Sequence, residues 1–519
     1  MRSHYLLLVL LIPGLSPGVS PSPLAAQAVP RTDGPRAGTL RVTFDPRVET
    51  WDAQFYHGRR TTLGAPFSGD STDVWFPSVT RLERDVRAVT GLGGYVATLG
   101  RQVLAIRAER RVTPIGLEFG ITNRLSLGVV VPLVRVDVAE GFRVSPPGSN
   151  LGALVPADSS RYGTFFGHLD AALAALSDSI AAGAYGCPVA PACQRAQTLQ
   201  SQAQTLRDAL HRAVYGTVDT TALYLPLLTS EAGQSIAAIV SGLERALADT
   251  FGVAQFSRDT FRLPTAPVTA AVLDSVLEER LTSAGLSPFG GTTARRVRYF
   301  AGDAEVTARY RFLVAGNWAA AATLLVRLPT GHQDSPNDAF DVATGDHQTD
   351  IELSVVQEAT LWRRLWLNLS LRAGRQRPGT RERRVAPQDV WLVPSTALAT
   401  LSWDPGDYVG VDFAPLLQLG QHLGAGVTLG YFTKGRDHYT FASTADSLDL
   451  ATRLGAPRSA NVLDAGTSQR RLRLGAAVTY VGPGVEGGLS FEQTVSGYGG
   501  LIPVATVLRF VMRTSHWPF

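Results

Sequence analysis

Lysine is nearly missing from this chain. Of its 48 lysines and arginines, Lys434 is the only lysine. Against them stand 44 Asp and Glu, leaving a net charge of +4 over 519 residues. So thin an excess is too small to argue for nucleic-acid binding, and no nucleic acid is expected as a partner. Cysteine is reduced to two residues, Cys187 and Cys193, in "GCPVAPAC". Neither their spacing nor a neighbouring histidine suits a metal site. Long apolar runs are missing as well. Beyond the N-terminus no run reaches the roughly 18 residues a membrane-crossing helix needs. A closed barrel stays open as an architecture, because it too satisfies every backbone group within lipid.

The N-terminus carries what the rest lacks. Arg2 is followed by "YLLLVLLI", then by small residues and by "AAQA" at 25–28. A positive end, a short apolar run and an A-x-A pattern predict a secretory signal peptide over 1–28. Export to an oxidising compartment makes a local disulfide between Cys187 and Cys193 the expected state of the two thiols.

The stretch "GLEFGITNRLSLGVVVPL" sets the fold class. Ile115, Leu117, Phe119 and Ile121 alternate with polar or small residues, and after the turn at 122–124 so do Leu125, Leu127, Val129, Val131 and Leu133. Period-two alternation makes strands with unlike faces. The same pattern, with 51 glycines to supply turns, predicts about twelve strands, in a range of about 10–14. They fall near 38–50, 101–121, 124–138, 298–313, 317–328, 348–361, 364–374, 406–419, 422–433, 469–480, 484–495 and 502–513. Short connections ("TN", "VAG", "WR", "GQ", "VGP") alternate with long ones at 51–100, 139–297, 329–347, 375–405 and 434–468. Outer-membrane barrels segregate short periplasmic turns from long extracellular loops in this way. Pro132 and Pro415 fall inside strands and mark a bulge or local break.

Polar faces point to a lumen. In "DAEVTARYRF", Asp303, Glu305, Arg309 and Arg311 share one face, and Glu352 and Arg372 hold similar places on later strands. An arginine turned to lipid at mid-bilayer costs about 2–4 kcal/mol, so these six are expected to line a water-filled interior. Further inward candidates are Arg135, Asp137, Glu358, Asp412, Arg473, Glu486 and Glu492. Trp318, Trp362, Phe312 and Tyr480 near strand ends suit an interfacial aromatic girdle.

Residues 139–297 read differently. Leu169, Leu173, Leu176 and Ile180 keep helical spacing, as do Ala196, Leu199, Ala203, Leu206 and Leu210. Ile236, Val240, Leu243 and Leu247 form a third series; Leu273, Val276, Leu277 and Leu281 form a fourth. The expectation is an all-β transmembrane barrel with a large, mostly α-helical extracellular insertion: barrel strands in 29–138, insertion in 139–297, barrel strands in 298–519. The insertion could cap the pore, bind a partner, or simply pack as a surface domain.

Four segments together carry a resemblance. "GITNRLSLG" at 120–128, "DAEVTARYR" at 303–311, "RLPTG" at 327–331 and "GDHQTD" at 345–350 occur in an order that resembles a series in Gram-negative outer-membrane β-barrel transporters, including the meta-pathway phenol-degradation-like group. The resemblance covers about 103–138 and 298–375 well and the C-terminal third loosely; it does not reach the insertion. It implies an outer-membrane barrel passing small apolar or aromatic molecules. Such proteins commonly end, as here, in phenylalanine (Phe519). The partners implied are outer-membrane lipid, lipopolysaccharide and the barrel-assembly machinery, with no cofactor.

Chemistry beyond passage finds little support. The nine histidines are scattered, and no G-x-S-x-G, H-E-x-x-H or phosphate-loop pattern occurs. Asp437, His438 and Ser443 supply the residue types of a hydrolase, though not its geometry. Asp334, Asp338, Asp341 and Asp346 cluster in one loop as weak calcium candidates without the spacing of a dedicated site. Two main readings follow: a channel, or a surface binding or structural protein whose barrel anchors the helical insertion. An outer-membrane hydrolase is the third.

Overall fold

The alternating segments form strands where the pattern places them. The computed structural model describes residues 31–65, 68–69, 77–145, 148–154, 159–216, 222–256, 260–286, 293–338, 341, 343–345, 347–362, 364–387, 393–482, 485–500 and 502–516. The expected signal peptide (1–28), Asp346, Trp517 and Phe519 lie outside them. The main sheet has fourteen hydrogen-bonded segments. Two pairs of these are halves of one interrupted strand, leaving twelve strands. The first pair, Leu40–Phe44 and Arg47–Trp51, is β1; both halves bond the same two neighbours. Then follow β2 (Arg101–Gly120) and β3 (Leu125–Ser145). The second pair, Thr293–Ala301 and Glu305–Ala315, is β4, and both halves neighbour β3. The remaining strands are β5 (Trp318–Arg327), β6 (Asp350–Leu361), β7 (Leu365–Gln376), β8 (Tyr408–Gln418), β9 (Leu423–Lys434), β10 (Gln469–Gly482), β11 (Val485–Gly499) and β12 (Thr506–His516). Each strand pairs antiparallel with the next, and β12 returns to β1 with Leu40 opposite His516 and Arg47 opposite Arg509. The sheet therefore closes on itself and has no free edge.

Closure gives the two faces their meaning. Leu117, Phe119, Leu127, Val129, Val131 and Leu133 are exposed, Leu127 to 49 %. The same holds for Leu353 on β6, Leu429 on β9, Leu489 on β11 and Phe510 on β12. Buried in their place are polar residues: Ser126, Glu352, Glu358, Asn368, Ser370, Thr428 and Ser490. An apolar outside and a polar inside are the inverse of a water-soluble sandwich and the arrangement of a membrane-spanning barrel. None of the described helices is long and apolar enough to cross a membrane.

Pro132 and Pro415 produce breaks rather than bulges. Opposite Pro132 the partner strand is interrupted between the two halves of β4, and Gly302 packs there, its N–H bonded to the Pro132 carbonyl at 2.8 Å. At Pro415 the ladder to β9 skips two residues and resumes in the same register, Phe413 with Leu429 and Leu416 with Gly426. The true register shifts lie between Tyr310 and Leu313 and between Leu472 and Arg473.

The long connections hold structure that alternation did not announce. Gly379–Arg384, Leu398–Asp404 and His438–Phe441 make a separate three-stranded sheet. With the helix α6 (Thr444–Leu454) it encloses Leu401, Trp403, Tyr439 and Leu450. The chain divides into two compact units. One comprises residues up to 62, 107–139 and 295–519; the other comprises 63–106 and 140–294.

The second unit is helical as expected, and it takes in the 63–106 connection as well. Its helices are α1 (Pro77–Thr90), α2 (Ser159–Ala181), α3 (Pro191–Tyr215), α4 (Glu231–Arg245) and α5 (Ala270–Ser283). Only α1 lacks a counterpart in the sequence reading. Leu169, Leu176, Leu206, Leu210, Ile236, Val240, Leu247, Leu273 and Leu281 are all buried, so the helical spacings do mark the packed stripes. The Leu277 side chain lies outside the described residues. Asp170 of α2 pairs with Arg207 of α3, and Asp85 of α1 with Arg212 of α3. Cys187, in the connection after α2, forms a disulfide with Cys193 in the first turn of α3.

Candidate functional site

Three sets of polar side chains collect on the inner face of the barrel. The first fastens the long-loop end of β4–β6. Arg327 binds Glu305 (3.1 Å) and Asp350 (2.7 Å), one on each neighbouring strand. Asp303 accepts the Gly331 N–H at 2.7 Å. The Thr330 hydroxyl donates to the Gly302 carbonyl at 3.0 Å and accepts from the Ala304 N–H at 2.8 Å. A Cβ on Gly345 would stand 2.4 Å or less from three atoms of the Asp303 carboxylate, so any side chain there would push that carboxylate out of its place. Three of the segments that carry the resemblance ("DAEVTARYR", "RLPTG" and "GDHQTD") thus converge on one structural clasp.

The fourth segment serves the second set, at the short-turn end. The N–H of Ala37 donates to Asn123 Oδ1 at 3.1 Å, and that of Gly38 to the Gly120 carbonyl at 2.8 Å. A Cβ on Gly120 would come within 2.1 Å of the Arg36 carbonyl oxygen. The residues before β1 are therefore drawn along the hairpin and across the interior. Thr32, fully buried, donates its N–H and hydroxyl to Glu358 of β6 at 3.0 and 2.7 Å. Arg31 donates to Glu486 of β11 at 2.7 Å and pairs with Asp33. Asp33 receives Arg41 of β1 and, at its carbonyl, Arg309 of β4. The sixth and eleventh strands of twelve stand nearly opposite each other, so this segment spans the interior. Sequence reasoning missed it. Its only signals were Gly120 and Asn123, which read equally well as turn residues.

The third set lies farther along the interior and surrounds a cavity of about 390 Å³. Arg110 pairs with Glu49, Arg473 with Asp412 and Glu492, and Arg509 with Asp45 through two bonds of 2.6 Å. Arg47 shares Glu49 at 3.5 Å. Arg372 and Arg471 also line the cavity.

The sequence candidates therefore separate into different jobs. Asp303 and Glu305 belong to the clasp. Arg309 reaches the crossing segment and Glu118. Arg311 sits in the register shift of β4. Glu352, 8 % exposed, accepts the Tyr408 hydroxyl at 2.7 Å. Arg372 alone of the six faces the cavity. Arg135 and Asp137 depart from expectation. They continue the series of Leu133, while Val134, Val136 and Val138 are buried on the opposite face. Asp137 is bound by Arg295 at 2.5 and 2.8 Å, and Arg135 lies 5.6 Å from the exposed Tyr299 ring. Beyond Leu133 this face of the strand changes from apolar to charged, with Asp137 buried beneath Arg295.

Among the described residues, the calcium and hydrolase candidates are taken up by other partners; Asp346 lies outside them. Asp334 is held by Arg381 and Arg383, and Asp338 and Asp341 by Arg298. Arginine thus takes the place a divalent ion would need, and no described group of three or more metal-ligating side chains occurs. Ser443 caps α6, accepting the Asp446 N–H and donating to its carboxylate at 2.7 Å. Asp437 serves Trp403, Gly406 and Lys434, while His438 turns to Asp464.

No family model and no curated relative matches the chain. Among solved structures it is similar to an outer membrane channel from Pseudomonas putida F1 at 7 % identity and a TM-score of 0.42, over 93 % of this chain and 98 % of that one. The toluene transporter TodX of Pseudomonas putida aligns at 9 % identity and 0.27, over 97 % and 98 %. The CymD monoaromatic hydrocarbon channel aligns at 8 % and 0.27, over 93 % and 89 %. At these scores nothing about this chain rests on the likeness; the barrel stands on its own hydrogen-bond ladder.

Proposed function

We propose that this protein is an outer-membrane channel for small solutes. On this reading the short turns face the periplasm and the long loops the exterior. Lipid and lipopolysaccharide surround the apolar band, and the barrel-assembly machinery inserts it. The observation that carries the reading is a closed barrel whose charged interior holds a solute-sized cavity instead of a packed core. Glu305, Arg309, Arg311, Glu352 and Arg372, with Asp303 at the rim, are the proposed lumen residues. Twelve strands leave a lumen narrower than that of the 16–18-stranded porins, which restricts passage to small molecules. Residues 31–37 obstruct it at one end, and passage requires them to shift. The test is swelling of liposomes loaded with an impermeant osmolyte and placed in isotonic arabinose. A barrel lacking residues 31–37 should swell several-fold faster than the full chain. A folded barrel without that segment, no more permeable than protein-free vesicles, overturns the channel reading.

A second reading has its own support. The unit formed by 63–106 and 140–294 has an independent core around Leu169, Leu247 and Phe256, large enough to be a functional module. The barrel would then be its anchor. Deleting 145–292 separates the two: permeation that persists or rises favours the channel, and a barrel silent in both forms favours the anchor.

A further inference from the structure

One row of residues crosses five neighbouring strands at the level of the cavity. Arg372 on β7 stands opposite Gly410 on β8, which stands opposite Phe432 on β9, then Arg471 on β10 and Gly497 on β11. Residues directly opposite in an antiparallel ladder share a face. The missing side chain at Gly410 decides the geometry. A Cβ there would lie 2.4 Å from Arg372 Nε, so Arg372 lies flat over β8 and extends toward Phe432. Its guanidinium carbon is 6.0 Å from the Phe432 ring centroid, and that of Arg471 is 4.6 Å away. Two guanidinium groups thus rest on one ring and border the same cavity.

The cavity's carboxylates are already engaged. Glu49 is taken by Arg110 and Arg47, and Asp412 and Glu492 by Arg473. Among the described residues neither Arg372 nor Arg471 is in direct ion-pair contact with a carboxylate, Glu49 attracting Arg471 only from a distance, and the Nε of each is buried without a hydrogen-bond acceptor. Six arginines line the chamber against three lining acids, with Asp45 behind Arg509 as a fourth, so its surplus is two positive charges, matching this pair. Guanidinium groups offer planar, paired donors that match oxyanions, and a partly buried pair of like charges is relieved by an anion placed between them. A chamber of about 390 Å³ falls in the size range of small-molecule sites.

We infer that Arg372 and Arg471, backed by Phe432, form a binding site for a small organic oxyanion, a carboxylate or a phosphate ester, within the barrel. This deepens the channel reading and rests on it for biological meaning, but the site can be tested without any permeation.

The test is equilibrium dialysis of the detergent-solubilised full chain against sodium benzoate, inorganic phosphate and the neutral comparator benzyl alcohol. Saturable one-to-one binding of benzoate or phosphate is expected, at least tenfold tighter than benzyl alcohol and weakened by added NaCl. The tighter of the two anions identifies the class. The double variant Arg372→Gln/Arg471→Gln should lose at least tenfold in affinity while keeping the heat-modifiable gel shift of a folded barrel. Should that variant not fold, Arg471→Lys, which keeps the charge but loses the planar fork, should still weaken binding several-fold. Absence of saturable anion binding, equal binding of benzyl alcohol and benzoate, or undiminished affinity in the folded double variant overturns the site. Failed binding alongside faster swelling without residues 31–37 would remove the site and leave the channel standing.

Discussion

Thr32 and Glu358 are 326 residues apart and meet through two hydrogen bonds, both accepted by one buried carboxylate. This contact, with Arg31 on Glu486 at 2.7 Å, ties the segment before β1 to far-apart parts of the barrel wall. Replacing Glu358 and Glu486 together with alanine should free the segment and speed liposome swelling several-fold. Gly120→Val should do the same by an independent route, since its side chain would collide with the Arg36 carbonyl. Unchanged swelling in both folded variants would show that the segment does not control permeation.

Arg327 joins three strands. Arg327→Met leaves Glu305 and Asp350 without their guanidinium, Asp350 being almost fully buried. Loss of one partner of such a pair costs roughly 3 kcal/mol, the low end of the usual range because part of the Arg327 side chain still meets solvent. The measurement is urea unfolding in lipid vesicles; a variant as stable as the wild type would deny the clasp its role.

The outward series on β3 gives the most direct check of orientation. Val129 lies within an exposed apolar run made by Leu127, Val129, Val131 and Leu133. Val129→Arg should destabilise the inserted barrel by about 2–4 kcal/mol, whereas an arginine replacing exposed residues beyond the band should cost little. Comparable stability of Val129→Arg and wild type in vesicles would invert the assignment of faces.

His211 gives the helical unit an acid sensitivity. It packs against Phe166 and Tyr215 on α2 and α3, with ring centroids 5.2 and 4.7 Å away. Burial holds its pKa below the ordinary histidine value of about 6.5. Arg207 pushes the same way, and Asp170 and Asp208 oppose it. A depressed pKa in the folded state means the unfolded chain binds the proton more readily. The stability contribution is therefore complete above about pH 6.5 and is lost as pH falls through the folded-state value. Thermal melts of helical circular dichroism between pH 7.5 and 5 should show this loss, and His211→Gln should flatten it. An identical slope in the variant would assign the effect to other groups.

How far the sequence reached depends on the range of the interaction involved. Period-two alternation is local, so all twelve strands and most of their faces could be read from it; Leu127 and Val129 face outward because their neighbours in sequence demand it. Helical spacing is equally local, and Leu169, Leu206, Ile236 and Leu281 are buried as that spacing requires. The six-residue separation of Cys187 and Cys193 likewise made their bond readable. Where one face of a strand changes from apolar to charged is less local, and Arg135 and Asp137 were placed on the wrong face for that reason. What the tertiary structure alone decided is register and closure. These bring Thr32 to Glu358, split the six lumen candidates among a clasp, a crossing segment and a cavity wall, and align Arg372, Gly410, Phe432 and Arg471 on four separate strands. No window of sequence contains such a row, because strand pairing is fixed by summed contacts among distant segments, and a slip of one residue would turn every one of those side chains to the opposite face.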